Sequence, residues 1–273
     1  MVSMATKKRS PLELLSNAQC RELSGSYWKV NSAAYQFSPM AGVGSPSWRK
    51  GAEGIAFPLV DQRTGQVTAW LKMFKSSIDT RRQRVEWLIR QKLGQKSLHL
   101  TAVPSCWIDT RDSARPEGIN FDFCGSLSQA VPGKSWSEWK TLMHDDGQRL
   151  DDRLRLRAAF DLLHVTAELE RNSCCHGDLS PGNTVVDLQA DPNEPVLRPC
   201  DFDAFVALNA SGRAIQSLGT AAGGTCGTPG YSPPALQQNC LQGRNVIPES
   251  DRYGRDILLL ELLGFGPKND PDL

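Results

Sequence analysis

The second half of the chain contains an Asp, an Asn and a second Asp at a spacing suited to orienting a hydroxyl and holding metal ions. Residues 176–183 read His-Gly-Asp-Leu-Ser-Pro-Gly-Asn, so Asp178 and Asn183 are five positions apart. Asp201 follows 18 residues after Asn183 and closes an apolar run. One carboxylate can orient an attacking hydroxyl, while an amide oxygen and a second carboxylate can hold the metal ions that bridge the phosphates of ATP.

This stretch resembles the catalytic loop of the protein-kinase-like superfamily. The resemblance implies that Asp178 is the catalytic base, that Asn183 is a ligand of one Mg²⁺, and that His176 holds the loop without doing chemistry. A His-x-Asp pattern alone is weak. The added features are Pro181, an amphipathic helix before the loop and a pair of strands after it. A polar surface turn between a helix and a strand is the alternative.

Asp201-Phe202-Asp203 resembles the Asp-Phe-Gly motif of the same superfamily, in which the first residue binds the metal that bridges the phosphates. The third position here is Asp203 rather than Gly. A residue with a Cβ atom has less backbone freedom than Gly, so we expect the motif to swing less between conformations. Asp203 stays an alternative metal ligand, although Phe202 falls in its expected place only when Asp201 is the ligand.

Lys72 ends the run Thr-Ala-Trp-Leu-Lys, which is similar to the Val-Ala-Ile-Lys strand of kinases. The resemblance implies that Lys72 holds the α- and β-phosphates of ATP. Lys75 is the alternative, and its position three residues later places it on the opposite face of the strand. Glu86 is the only acidic residue in the helix predicted after Thr80. It would pair with Lys72, and a solvated surface Glu is the alternative.

Gly51 and Gly54 stand where kinases have a loop that covers the phosphates. The pattern contains two glycines instead of the three of Gly-x-Gly-x-x-Gly. Backbone amides can approach phosphate through two glycines. An ordinary hairpin explains these residues equally well.

Residues 227–235 resemble the end of a protein-kinase activation segment, Gly-Thr-x-x-Tyr-x-Ala-Pro-Glu. Small-molecule phosphotransferases normally lack this segment. The resemblance implies that Thr228 bonds to the catalytic Asp, which favours serine and threonine acceptors, and that Asp251 holds the backbone of the catalytic loop. Ala235 replaces the closing Glu. Since the sequence stops at Leu273, before the region of that Glu's Arg partner, we expect a short C-terminal lobe.

Two further residues depart from the family pattern. Gly177 replaces the Arg with which many kinases bind a phosphate on the activation loop, so we expect activity that does not depend on such a phosphate. Ser180, on the substrate side, replaces a Lys that contacts the transferred phosphate. With Asp201-Phe202-Asp203, this pattern is most similar to prokaryotic kinases of the eukaryotic type.

The elements predicted around these motifs form a β-rich region followed by a helical one. Residues 135–138 have the Ser-x-x-Glu spacing of a capping box at the start of a helix. A hairpin turn is predicted over residues 61–66, with Gly65 in a left-handed conformation. Strands are predicted within residues 51–60, 67–74, 101–108, 118–124, 184–188 and 195–200, and helices at 80–93, 150–171 and 257–263.

Element order and resemblance together predict an α+β protein with a two-lobed, protein-kinase-like fold. We expect an N-terminal extension at residues 1–47, in which we find no strong periodicity. A β-rich N-lobe with one helix follows at residues 48–131, and a mainly helical, C-terminally short C-lobe occupies residues 132–273.

Composition narrows the function classes. The chain has 273 residues, 40% of them hydrophobic and 22% charged, and a net charge of +1. These values favour a globular protein and give no support for a nucleic-acid or membrane partner. We find no 18-residue apolar stretch and no apolar segment after the first ten residues, so we expect neither a membrane span nor a secretory signal.

The eight cysteines contain no Cys-x-x-Cys pair. The run Cys174-Cys175-His176 has an unsuitable spacing for zinc, because adjacent cysteines do not easily share one tetrahedral ion. Free thiols in a reducing cytoplasm are the better interpretation.

The prediction is therefore a cytoplasmic serine/threonine protein kinase that uses ATP and Mg²⁺ and acts on a protein substrate. Two alternatives stay open: a small-molecule kinase of the aminoglycoside or choline kinase type, and a pseudokinase that only binds nucleotide or a partner. The poor glycine loop, Ser180 and the short C-terminal lobe favour the pseudokinase. Four residues argue against it, namely Lys72, Asp178, Asn183 and Asp201.

Overall fold

The protein divides into two compact units. A computed structural model describes residues 15–31, 33–39, 48–50, 54–74, 79–145, 147, 150–211, 214–215, 218, 227–234 and 248–264. The sheet unit contains the described residues up to Arg82 together with Cys106–Leu127. The helical unit contains Gln83–Ser105 and the described residues from Ser128 onward.

The sheet unit is built on antiparallel strand pairs and a short helix. The strand order is β1-β2-β4-β5-β7-β6, and β3 pairs with β4. In chain order the elements are α1 (Asn17–Leu23), β1 (Tyr27–Val30), β2 (Ala33–Phe37), β3 (Arg49–Lys50), β4 (Gly54–Asp61), β5 (Val67–Phe74), β6 (Pro104–Asp109) and β7 (Cys124–Gln129).

The core of this unit is aromatic. The ring centroid of Trp28 lies 5.7 Å from the ring centroids of both Phe37 and Phe123. Phe57 meets Phe37 edge to face at 5.6 Å. These distances are typical of favourable aromatic pairs, and all four rings are buried.

Residues assigned from the sequence to an N-terminal extension are part of this unit. Leu15, Trp28 and Phe37 are buried in its core. The helix α1 begins with a capping box, in which the Ser16 N–H donates to Gln19 Oε1 at 2.9 Å and the Gln19 N–H donates to Ser16 Oγ at 3.3 Å. The Ser-x-x-Gln spacing was a visible signal for this helix. The domain boundaries at residues 47 and 131 stay predictions.

Strands β4 and β5 approach each other closely. Ala56 pairs with Lys72 and Gly54 pairs with Phe74. A Cβ atom on Gly54 would lie 2.1 Å from the carbonyl oxygen of Met73, which is shorter than any normal contact. Gly54 therefore has a packing role in the hairpin. The predicted turn between these strands is confirmed, with φ of 69° at Gly65.

The helical unit contains longer helices and two small sheets. The three-stranded sheet has the order β11-β10-β8, and β12 pairs with β9. The elements are α2 (Asp79–Gln91), α3 (Leu93–Lys96), β8 (Lys134–Ser135), α4 (Trp136–Asp145), α5 (Asp152–Arg171), β9 (Cys174–Cys175), β10 (Thr184–Val186), β11 (Leu197–Pro199), β12 (Val206–Ala207) and α6 (Pro248–Gly264). The first residues of α2, up to Arg82, belong to the sheet unit.

Most predicted elements are present, although α6 begins at Pro248, well before the predicted start at residue 257. One prediction is wrong. The strand predicted at residues 118–124 is wrong, because β7 begins only at Cys124. The preceding residues form a turn, in which the Ile119 N–H donates to the Pro116 carbonyl at 3.2 Å. The predicted capping box is confirmed, since the Ser135 N–H donates to Glu138 Oε2 at 2.8 Å and the Glu138 N–H donates to Ser135 Oγ at 3.2 Å.

The helices α5 and α6 are joined near both of their ends. Arg155 Nε donates to the Leu262 carbonyl at 2.6 Å, and Arg252 forms an ion pair with Glu170 at 2.8 Å. The two helices consequently run in opposite directions. The beginning of α6 lies beside the end of α5, where the loop containing residues 176–183 starts.

Among the described residues, none of the helices combines the length and the apolar character that a bilayer crossing requires.

We predict that Gly54→Ala destabilises the protein by about 1–3 kcal/mol, since the added methyl group has no space beside Met73. Gly182→Ala is the matched control, because a Cβ atom there meets nothing within 4 Å. It should change the free energy of unfolding by no more than about 0.5 kcal/mol. Urea unfolding followed by tryptophan fluorescence measures both values, and equal values would contradict the packing role of Gly54.

Candidate active site

The carboxylate of Asp178 is fixed by hydrogen bonds to both of its oxygens. Oδ1 accepts from the N–H of Thr228 at 2.7 Å and from its hydroxyl at 2.8 Å. Oδ2 accepts from Asn183 Nδ2 at 2.9 Å. The bond between Thr228 and Asp178 that the resemblance implied is therefore present. Asp178 is only partly buried, so a hydroxyl group can still reach it.

A short hairpin brings Asn183 and Asp201 to one place. Strands β10 and β11 are antiparallel, with Thr184 opposite Pro199. The Cys200 N–H donates to the Asn183 carbonyl at 2.8 Å, which continues this pairing by one residue. Asn183 precedes the first strand and Asp201 follows shortly after the second. The register therefore places both residues at the same end of the hairpin.

The backbone of the loop is held by a buried acid from α6. Asp251 Oδ2 accepts from the His176 N–H at 2.5 Å, and its Oδ1 accepts from the Gly177 N–H at 2.8 Å. Burial raises the pKa of Asp251, although His176 and these two N–H groups lower it. This arrangement confirms that Asp251 holds the loop backbone.

His176 connects the loop to the segment after β11. Its ring is fully buried. Nε2 lies 2.9 Å from the Cys200 carbonyl, and Nδ1 lies 3.4 Å from the N–H of Asp178. A carbonyl oxygen can only accept, so Nε2 carries a proton in its contact with Cys200. His176 therefore positions Asp178 and Cys200, as the resemblance implied.

Gly177 lies where only glycine fits. Its φ is 82°, and a Cβ atom would lie 2.2 Å from the carbonyl oxygen of Ala204. A side chain at this position would be strained by its φ and would also meet that oxygen. A larger side chain at position 177 is therefore excluded by a close backbone contact with Ala204.

Ser180 is more enclosed than the sequence suggested. It is 3% exposed, and its carbonyl accepts from the Thr184 hydroxyl at 2.8 Å. Its hydroxyl is therefore enclosed by the protein and not exposed to a bound substrate. Ser180 serves the local turn before β10.

The predicted phosphate-binding residues fall partly outside the described chain. Lys72 and Glu86 are each half-buried and belong to different units, so their pairing stays a prediction. Gly54 has the packing role described above. Gly51 and Lys75 lie outside the described residues.

A polar cluster that includes Tyr231 was not predicted from the sequence. Glu261 on α6 accepts from Lys140 Nζ at 2.8 Å, from Trp136 Nε1 at 2.8 Å and from the hydroxyl of Tyr231. Lys140 also donates to Tyr231 at 3.0 Å. The one acidic residue in the apolar run 257–263 was the signal that could have revealed it, since a buried acid needs partners.

Burial and the hydrogen bonds of this cluster shift the pKa values of Tyr231 and Lys140. Burial raises the pKa of the Tyr231 hydroxyl, and its hydrogen bond to Glu261 adds to that effect. Although burial lowers the pKa of Lys140, its hydrogen bonds to Glu261 and Tyr231 raise it overall. Lys140 is therefore protonated at neutral pH, and the Tyr231 hydroxyl is neutral.

The adjacent cysteines before His176 are buried thiols. Cys174 Sγ lies 3.5 Å from the Leu169 carbonyl, and Cys175 Sγ lies 3.8 Å from the Val206 carbonyl. Burial raises the pKa of Cys174 to about 12 and that of Cys175 well above its usual range. Within the described ranges, no group of three His, Cys, Asp or Glu side chains could hold a metal ion.

Asn183 and Asp201 nevertheless suit Mg²⁺ in kind. A carboxylate and an amide oxygen are hard donors of the type that Mg²⁺ prefers, usually with waters and substrate phosphates completing the shell. Asn183 Nδ2 is turned toward the carboxylate and the carbonyl of Asp178. The oxygen of that amide is thereby left for a cation, and the exposed carboxylate of Asp201 is at the same end of the hairpin.

Comparisons with known proteins identify the fold. No protein-family model and no curated protein sequence matches this chain. Among solved structures, the chain is similar to the BubR1 kinase domain, with a TM-score of 0.58 and 14% sequence identity over 92% of this chain and 67% of that one. The predicted α+β, protein-kinase-like fold is confirmed.

We predict that Asp251→Asn destabilises the protein by about 1–3 kcal/mol, because the new NH₂ group would face a backbone N–H that it cannot bond. Asp256→Asn is the control on the same helix, since Asp256 is 60% exposed and pairs with its neighbour Arg255. Its effect should stay below about 0.5 kcal/mol. Both values are measured by urea unfolding. Equal stability of the two variants would contradict the role of Asp251.

Proposed function

We propose that this protein is a serine/threonine protein kinase that depends on ATP and Mg²⁺. The observation that carries the proposal is the double contact of Thr228 with Asp178, at 2.7 and 2.8 Å. It joins the carboxylate of the catalytic loop to the segment that, by resemblance, lies next to the acceptor peptide. Small-molecule phosphotransferases normally lack that segment.

Asp178 orients the acceptor hydroxyl and takes its proton as the oxygen attacks. Thr228 and Asn183 fix the carboxylate so that it does not need to reorganise during the reaction. Asn183 and Asp201 would hold Mg²⁺, and Lys72, oriented by Glu86, would hold the α- and β-phosphates. When bound, Mg²⁺-ATP supplies the transferable phosphoryl group and neutralises part of its charge. Catalysis by this chain then consists mainly of positioning.

The test is transfer of labelled γ-phosphate from ATP, with Mg²⁺ present, to a generic protein acceptor, followed by phosphoamino-acid analysis. Asp178→Asn is the control, since the amide keeps the shape of the side chain and lacks the basic oxygen. Choline and an aminoglycoside are offered as acceptors in parallel. We expect phosphoserine or phosphothreonine with the wild type and almost none with the variant.

The other outcomes separate the alternatives. Transfer to choline or the aminoglycoside alone would show a small-molecule kinase. Nucleotide binding without transfer to any acceptor would show a pseudokinase. The proposal would be overturned by transfer that Asp178→Asn leaves unchanged.

We predict that Thr228→Val lowers kcat by about ten-fold, equivalent to about 1.4 kcal/mol in the barrier. Valine has nearly the shape of threonine but no hydroxyl to donate to Asp178. Thr228→Ser should recover most of the activity. Thr141→Val removes an exposed hydroxyl on α4 that donates to the Ser137 carbonyl, and it serves as the control. Equal kcat for Thr228→Val and Thr141→Val would contradict the role of Thr228.

We also predict activity without phosphate on the loop between Ala204 and Thr225. Gly177 offers no guanidinium to bind such a phosphate, and its backbone contact with Ala204 leaves no space for one. Ser211 is a possible acceptor within the described residues. The other possible acceptors and the possible substitute cation lie outside them, namely Ser217, Thr220, Thr225 and Arg213.

Phosphatase treatment, checked by mass spectrometry, tests this prediction. Transfer to an exogenous protein should be unchanged within about three-fold. A loss of about ten-fold or more, or 1.4 kcal/mol in the barrier, would show that loop phosphorylation controls activity.

A further inference from the structure

One face of α2 contacts the turn formed by residues 201–205, which begins with the proposed metal ligand Asp201. Arg84, Trp87 and Leu88 are spaced i, i+3 and i+4 and therefore lie on one side of the helix. All three contact or pack with residues of this turn, as described below, and all belong to the helical unit.

Arg84 binds the main chain of the turn. Its side chain is 3% exposed, and Nη2 donates to the Asp203 carbonyl at 3.1 Å. The guanidinium carbon lies 6.0 Å from the ring centroid of Phe205. Burying a guanidinium is costly unless it is hydrogen-bonded, so the bond to Asp203 offsets part of that cost.

The apolar side chains on the same face pack on the same turn. The ring of Trp87 stacks on Phe205, with centroids 5.9 Å apart and planes 21° apart. Leu88 is fully buried in a cluster that includes Phe202 and Phe205. The helix therefore contacts Phe205 and shares a buried cluster with Phe202.

The loop that carries Asp178 also contacts the turn. Gly177 approaches the Ala204 carbonyl so closely that a Cβ atom would lie 2.2 Å from it. The His176 ring centroid lies 4.6 Å from that of Phe202. Beyond the turn, Val206 pairs with Cys175 in an antiparallel ladder. The turn is thus clamped between α2 and the loop that carries Asp178.

We propose that Arg84 is a positioning residue that locks the 201–205 turn to α2 and holds Asp201 in the conformation that receives Mg²⁺. Arg84 acts through the Asp203 carbonyl. The φ of Asp201 is 60°, a left-handed conformation that costs free energy in a non-glycine residue and therefore needs support from its surroundings. This inference rests on the proposed function, because it assigns Asp201 to the metal.

The first measurement needs neither ligand nor activity. Hydrogen exchange is followed by mass spectrometry in peptides that cover residues 201–207 in the wild type, Arg84→Met, Arg84→Lys and Arg90→Met. Arg90 is exposed on the same helix and is the matched control. We expect exchange about ten-fold faster in Arg84→Met, intermediate values in Arg84→Lys and no change in Arg90→Met.

The second measurement is the Mg²⁺ concentration that half-maximally raises the melting temperature in the presence of a non-hydrolysable ATP analogue. For Arg84→Met this midpoint should rise by about ten-fold, because a turn that samples other conformations binds the ion less tightly. Removing a positive charge would by itself favour a cation, so electrostatics alone predicts a change in the opposite direction. Arg84→Lys should lie between Arg84→Met and the wild type.

Each outcome decides the inference. If a folded Arg84→Met variant shows unchanged hydrogen exchange in residues 201–207, Arg84 does not hold the turn and the inference is overturned. Faster exchange with an unchanged or lower Mg²⁺ midpoint overturns the role in metal binding. A wild type that shows no Mg²⁺-dependent nucleotide binding overturns the proposed function and the inference together, whereas a wild type that binds and an Arg84→Met variant that binds equally well overturns the inference alone.

Discussion

The two backbone N–H groups that Asp251 binds are the constraint on which the rest of the site depends. His176 and Gly177 stand at a sharp change of direction, after the short strand β9 and before the loop that carries Asp178. Buried N–H groups at such a place have no regular partner, and each would cost about 1–3 kcal/mol if left without one. The carboxylate of Asp251 accepts from both, at 2.5 and 2.8 Å. The helix α6 thereby fixes the backbone of the loop.

The conformation of the loop then determines which residues lie close together in the site. With Gly177 at a φ of 82°, the chain passes directly against the Ala204 carbonyl, so the catalytic loop and the 201–205 turn share one backbone contact. The hairpin of β10 and β11 brings Asn183 to the same end as Asp201. Asp178 is held between Asn183 and Thr228. Under the proposed function, these groups would need little reorganisation before the reaction.

The departures from the kinase pattern have a common physical basis. Gly177 in place of Arg offers no guanidinium at this position, and it permits the close approach of Ala204. Asp203 in place of Gly limits backbone freedom, and its carbonyl is bound by Arg84. Under the proposed function, these substitutions exchange a switchable turn for a fixed one. The cluster around Glu261 joins Tyr231, in the segment of Thr228, to α4 and α6.

The sequence by itself predicted the longer elements of the helical unit, and its resemblance to kinases implied the roles of Asp178, Asn183 and Asp201. The spacing of Asp178, Asn183 and Asp201 and the long helix α5 were all visible, because local patterns of apolar residues and caps specify them. Short strands near the N-terminus and the turn before Cys124 were missed, since four or five residues carry too little periodicity. Only the tertiary structure decided that Gly177 lies against Ala204, that Arg84 binds Asp203, and that Glu261 gathers Lys140 and Tyr231. Those contacts join residues far apart in the chain, and packing, which no local pattern encodes, brings them together.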